Sequence, residues 1–216
     1  MNESDKPGSY PRMSPSTLFT PERWRKPVSF LFTGIWLVAA MLVIPRGFDD
    51  GWHEALEMSG YLLLICAALG RVWAYAYIGG RKNQRLCREG PYSLTRNPLY
   101  FFSFLGVCGA GLGLQSLLLF GTACIFFLGY YAWVIRAEER RLDAIFGSEF
   151  RRYCAEVPRF WPRLANPQCG EEITLSARLF TRTLGEVFWF LAAIVIIEVV
   201  EIGKMGHWWL LVPTSY

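Results

Sequence analysis

The run Leu99–Ile135 is apolar from end to end and too long for the single helix it would make. At ~1.5 Å per residue that helix would measure roughly 55 Å, against a bilayer hydrocarbon core of about 30 Å. The chain must therefore fold back within the run, and Gly111-Leu112-Gly113-Leu114-Gln115 is the natural hinge. Two spans result, about 98–113 and 115–135, joined as a tight hairpin. An all-α, polytopic membrane protein is the class this requires.

Other stretches agree. Segments 28–44 and 58–78 supply two earlier spans, the second interrupted only by Arg71. With 53% hydrophobic residues and a mean hydropathy of +0.24, the chain is more apolar than a soluble domain. A fifth candidate, about 184–202, is broken by Glu186, Glu198 and Glu201. Its uninterrupted part, Val187–Ile197, suits either a crossing or an interfacial or re-entrant helix. The expected organisation is a polar tail over 1–27, a membrane core over 28–163, and a linker with the fifth helix over 164–216. Residues 136–163 close the core as an amphipathic cap. Pro7, Pro11, Pro15, Pro21 and Pro27 punctuate the tail, which lacks the apolar stretch of a cleaved signal peptide.

The net charge of +4 conceals a strong asymmetry. Nineteen of the 22 Lys and Arg precede the first span or fall between spans two and three or four and five. The positive-inside rule puts those segments and the N-terminus in the cytoplasm, with the acidic loop Asp49–Glu57 outside. In a bacterium this is the inner membrane. Nothing in the pattern points to nucleic acid. The six cysteines form no C-x-x-C pair and only two histidines exist, so neither disulfides nor a metal site is expected. His53 and His207 fall on the outer side, away from the basic segments.

Those segments carry the chemistry. Gly90-Pro91-Tyr92-Ser93-Leu94-Thr95-Arg96-Asn97-Pro98-Leu99-Tyr100 is a polar turn that opens into the apolar hairpin. Asn97 reads as an N-cap and Pro98 as the first helical residue, whose missing N–H is not needed there. A helix start offers free N–H groups and a partial positive charge to an anionic ligand group. The fourth span ends in Glu138 and Glu139 among arginines, which alone would read as a solvated helix end. Leu142, Ile145 and Phe146, then Phe150, Tyr153 and Val157, follow at helical spacing and describe segments lying on the membrane.

Together, Gly-Pro-Tyr-x-x-x-Arg-Asn-Pro-x-Tyr, a hairpin, Glu-Glu-x-x-Leu-x-x-x-Phe-Gly-x-x-Phe-x-x-Tyr and Val-Pro-Arg-Phe-x-Pro resemble a known superfamily. It is that of the integral-membrane isoprenylcysteine carboxyl methyltransferases and phospholipid methyltransferases. The resemblance covers about residues 75–163. It implies S-adenosylmethionine as cofactor on the cytoplasmic side, and a lipophilic acceptor arriving from the bilayer. It also implies cofactor contacts at Gln84, Arg85, Leu86, Cys87, Tyr92, Asn97, Pro98, Leu99, Tyr100 and Glu138.

A carboxylate such as Glu138 suits ribose hydroxyls or an amine, and tyrosine faces suit a sulfonium or adenine. Three further residues are catalytic candidates. Arg96 is either a functional group or an interface anchor. Glu139 is either a polar contact or a partner of Arg136 or Arg140. Arg159 either closes the pocket or meets headgroups. Arg71 and Tyr75, on one face of the second span, are candidates for the acceptor cavity.

Three positions depart from the pattern, the first being Asn97, where many relatives carry histidine. Phe102 stands where relatives carry a small glycine. Val134 stands where the isoprenylcysteine enzymes carry a substrate-carboxylate arginine, which argues against a prenylcysteine acceptor. A carboxylate acceptor needs no general base, whereas an amine or thiol would look to Glu139 or water. The alternatives are an NADPH-dependent, sterol-reductase-like enzyme and a non-catalytic protein that binds anionic lipid. Oligomeric state is not legible.

Overall fold

The computed structural model describes residues 21–42, 50–78, 85–163, 167 and 177–205. Gln84, the first twenty residues, His207 and most of the linker lie outside them. Among the described residues the regular structure is helix, with no strand. The helices are α1 (Pro21–Leu42), α2 (Asp50–Ile78), α3 (Pro98–Gly113), α4 (Leu117–Phe146), α5 (Ser148–Glu156) and α6 (Ala177–Met205). A short 3-10 turn, Gly90–Ser93, precedes α3.

Among the described residues, three helical stretches are long and apolar enough to cross a membrane, Glu54–Ile78, Leu117–Phe146 and Thr183–Gly203. The apolar parts of α1 and α3 are shorter. At 16 residues, α3 measures roughly 24 Å, below the thickness of the hydrocarbon core. Large apolar side chains face outward along the bundle, among them Phe30, Ile125 and Trp189, each more than 60% exposed. An apolar exterior on this scale belongs in lipid.

The hairpin turns where the length argument requires, over Leu114-Gln115-Ser116. Gln115 takes φ +54°, and the Ser116 hydroxyl caps α4 by accepting from Leu119 N–H. The neighbouring glycines are still helical and serve three partners rather than one. Gly109 and Gly113 lie against α2, so close that a Cβ on Gly60 would sit 2.6 Å from Gly113 N and 2.7 Å from Gly109 O. Gly111 packs on Phe120 of α4, and Gly106 faces Phe190 of α6. The tightest seam is thus α2 on α3.

One expectation about a boundary is corrected. Asp49–Glu57 reads as a loop, yet α2 already begins at Asp50, where acidic side chains favour a helix N-terminus. Within residues 136–163, α4 continues unbroken to Phe146 and the chain turns at Gly147, with φ +52°.

At the end of the bundle where α2 begins, the carboxylate oxygens of Glu57, Glu198 and Glu201 approach within 4.8 Å of one another. The Tyr61 hydroxyl lies 2.7 Å from Glu57 and 2.7 Å from Glu198. The basic segments gather at the other end.

Candidate active site

The segment that leads into α3 is held by its own sequence. Gly90 sits at φ +59°, and a Cβ there would lie 2.5 Å from the Tyr77 ring, so only glycine fits. Pro91 then opens the 3-10 turn and is fully buried. Tyr92 turns inward, 7% exposed, into a cluster with Ala74 and Tyr77 against Cys87, Leu99 and Phe102.

Residues 157–163 form a strap that runs back over this segment. Arg96 N–H donates to Pro158 O at 2.9 Å, and Arg163 N–H donates to Leu94 O at 3.1 Å. Buried Thr95 donates to Phe160 O at 3.0 Å. The Asn97 side chain follows the same direction. It occupies the N-cap position of α3 but makes no capping hydrogen bond, because its Nδ2 donates across to Arg159 O at 2.9 Å. The expected capping role is thus replaced by a strap contact.

The cap is fastened by α5. Its Tyr153 hydroxyl, 2% exposed, donates to Tyr92 O at 2.6 Å, and Arg88 pairs with Glu156. Leu142, Phe146, Phe150, Tyr153 and Val157 close on Leu86 as one apolar cluster. Burial pushes the Tyr92 and Tyr153 phenols well above the ordinary tyrosine range, so both stay neutral donors. The Tyr92 hydroxyl nevertheless has no hydrogen-bond partner among the described residues.

Glu138 and Glu139 are consecutive, so they leave α4 about 100° apart and do different things. Glu138 accepts from the Tyr100 hydroxyl at 2.9 Å, which joins the start of α3 to the far part of α4. Glu139 is buried and serves two arginines, Arg159 Nε at 2.9 Å and Arg96 at 3.4 Å. Arg136 and Arg140, its neighbours along the helix, are not its partners. The Arg96–Glu139–Arg159 triad therefore ties the α3 entry, α4 and the strap together, from arginines 43 and 20 residues away from Glu139 in sequence.

The remaining expected residues fall as follows. Pro98 is fully buried and Leu99 lines the Tyr92 cluster. The Cys87 thiol donates to Tyr77 O at 3.6 Å. Arg85 is exposed, 3.9 Å from Glu89, and the Leu86 side chain is committed to the cap core. Arg71 donates to Ser103 Oγ, to Leu99 O at 3.3 Å and to Tyr75 OH at 3.3 Å. Arg71 and Tyr75 stand behind α3, one layer away from an apolar cavity of about 300 Å³ that Ser103 does line. The cavity lies between α1, α3, α4 and α6, with Trp36, Phe127, Tyr131 and Phe190 in its walls. The Tyr131 ring is 5.4 Å from that of Tyr100, which connects the cavity to the site.

Sequence reasoning placed Tyr153 on the cap and Thr95 in the turn before α3 without giving either a partner, and it missed Gly70. Gly70 answers the Phe102 departure, since a Cβ there would sit 2.1 Å from the Phe102 ring. A glycine on α2 thus makes room for the aromatic ring that α3 carries in place of its own.

A phospholipid methyltransferase family model matches residues 57–149. The chain is 33% identical over 182 residues to the nickel-cobalt-cadmium resistance protein NccN of Alcaligenes xylosoxydans xylosoxydans, covering 81% of this chain and 85% of that protein. It is 35% identical over 176 residues to the cobalt-zinc-cadmium resistance protein CzcN of Cupriavidus metallidurans, covering 81% and 78%. No solved structure matches the chain. An apolar helical bundle, the two motif halves meeting at Tyr100 and Glu138, and these likenesses lead to one assignment: the chain belongs to the phospholipid methyltransferase family of integral membrane proteins.

Proposed function

We propose that the protein transfers a methyl group from S-adenosylmethionine to a lipophilic acceptor drawn from the bilayer. The observation that carries the reading is the 2.9 Å hydrogen bond from Tyr100 to Glu138, which brings both halves of the motif to one place. The segment leading into α3 also carries the buried Tyr92 hydroxyl, without a hydrogen-bond partner among the described residues. A carboxylate with lone pairs to spare and an orphan donor fit a ligand rich in hydroxyl, amine and carboxylate groups. When bound, the cofactor supplies an electrophilic methyl group on a sulfonium.

Glu138 would hold its hydroxyls or amine, Tyr92 and Tyr100 would present rings and hydroxyls, and the first turn of α3 would receive its carboxylate. Arg96, Glu139 and Arg159 act as positioning residues in this reading. Both arginines pair with the one carboxylate, and the work of the three is to hold the strap against the α3 entry. The apolar cavity beside Tyr131 receives the acceptor's hydrocarbon part. Its volume lies at the small end of ligand sites, and its predominantly apolar lining suits a hydrocarbon chain better than water. Val134 is buried and apolar, which leaves no arginine there for a prenylcysteine carboxylate.

The test is incubation of membranes containing the protein with methyl-labelled S-adenosylmethionine, followed by solvent extraction. Label in a lipophilic product, lost with Glu138→Gln, is the expected result; an unlabelled extract contradicts it. NADPH that raises the melting temperature where S-adenosylmethionine does not would favour the reductase-like alternative. The names of the two relatives attach them to resistance against nickel, cobalt, zinc and cadmium. We place this methyl transfer in the same setting, so a deletion strain should become sensitive to these cations and Glu138→Gln should not restore growth.

A further inference from the structure

The cap carries more positive charge than methyl transfer uses. A shallow, open depression of about 410 Å³ lies where the last turns of α4 meet α5 and the strap. Arg136, Arg140, Arg151 and Arg159 surround it, with Glu139 and Asp143 among them. Two of the guanidinium groups are paired: Arg159 Nε donates to Glu139 at 2.9 Å, and Arg151 Nε donates to Asp143 at 3.0 Å. Arg136 and Arg140 are exposed, share one face of α4 at i,i+4 spacing, and have no ion-pair partner among the described residues.

Four guanidinium groups against two carboxylates leave the site two positive charges, and Glu139 is further shared with Arg96. The four arginines come from three elements, α4, α5 and the strap, and two of them lie against carboxylates, so the excess charge is gathered at one place rather than spread along a single helix. Guanidinium forks match phosphate oxygens in pairs. Trp133, one turn before Arg136 on α4, and Trp161, on the strap, are 47% and 62% exposed, as expected of side chains at headgroup level.

We propose that this pocket binds a phosphate-bearing anion, with the headgroup of an anionic phospholipid as its source in the membrane. It is separate from the Tyr100–Glu138 site, because Glu138 and Glu139 face different sides of α4. A phosphate spanning Arg136 and Arg140 of α4 and Arg151 of α5 fastens the cap over the bundle. The inference does not depend on methyl transfer and stands if the protein binds no methyl donor.

The experiment uses the full chain purified in a neutral maltoside detergent, with heat unfolding recorded during separate titrations. The probes are dioctanoyl phosphatidylglycerol, dioctanoyl phosphatidylcholine and inorganic phosphate. Phosphatidylglycerol should raise the melting temperature at concentrations at least tenfold below those phosphatidylcholine needs, and millimolar phosphate should compete with it. The double variant Arg136→Gln/Arg140→Gln should melt normally without lipid and bind phosphatidylglycerol at least tenfold more weakly. Inorganic phosphate that binds as tightly as the lipid supports the site and moves its source to the soluble phase. Equal effects of the two lipids, or an unaltered response in the double variant, overturn the proposal. If that variant fails to fold, the comparison of lipids on the unmodified chain decides alone.

Discussion

Replacing Glu139 by alanine removes the carboxylate that serves both Arg96 and Arg159, and the two arginines should respond differently. The Arg96 side chain is 11% exposed, whereas that of Arg159 is 51% exposed. Arg159 can turn into water, and its half of the triad is screened, so its loss contributes no more than about 1 kcal/mol. Arg96 is left as a buried charge without its counter-ion, and stranding one member of a buried pair costs roughly 3–5 kcal/mol. For a chain of this size that corresponds to a fall in melting temperature of roughly 6–20 °C.

Heat unfolding of the purified protein in detergent measures it, with Arg96→Met and Arg159→Met as companions. Combining Glu139→Met with Arg96→Met should recover much of the loss, because no buried charge is then unpaired. A Glu139→Ala variant within about 1 kcal/mol of the parent protein, or an Arg159→Met variant as damaging as Arg96→Met, would refute the assignment of the triad as a buried clasp.

Three other outcomes follow from the same coordinates. Gly109→Ala would place a Cβ 2.7 Å from Gly60 O and 2.9 Å from Leu64 N, so the α2–α3 seam must open, at about 1–3 kcal/mol. Gly121→Ala meets nothing within 4 Å and should be neutral in the same melt. Gly70→Ala should be rescued in part by Phe102→Ala, a non-additivity that a double-mutant cycle reads directly. The raised Tyr92 and Tyr153 phenols also set a pH dependence. Their neutral forms are favoured by the fold, so their stabilising contribution is complete below the unfolded tyrosine value near ~10 and is lost as pH rises toward the folded values. Each contributes a slope of about 1.4 kcal/mol per pH unit above that point. A melting-temperature series across alkaline pH should fall less steeply in Tyr153→Phe, once corrected for its lost hydrogen bond.

The reversal inside Leu99–Ile135 was legible because bilayer thickness and helix rise leave no alternative. The pairing of Tyr100 with Glu138 was legible as a motif, since both residues belong to segments whose order and spacing are specific. What escaped depends on contacts between residues distant in sequence. Phe102 looks like a loss until Gly70, on another helix, is seen against its ring. Asn97 has the chemistry of an N-cap, but the Arg159 carbonyl on the strap competes for its side chain and wins. Arg136 and Arg140 are Glu139's neighbours along the helix, and only the return of the strap and the α3 entry brings in Arg96 and Arg159 instead. Asp49–Glu57 looked like a loop because acidic residues suit solvent; they equally suit the first turns of α2.

The central claim is that Tyr100 and Glu138 form part of a site for S-adenosylmethionine. Direct calorimetric titration of the purified, monodisperse protein with S-adenosylmethionine tests it, beside Tyr100→Phe and Glu138→Gln. Hydrogen bonds to a charged group are worth about 1.5–3 kcal/mol, so binding should be measurable in the parent and weakened roughly tenfold or more in each variant. A folded parent protein that does not bind, or variants that bind as well as it does, would contradict the account.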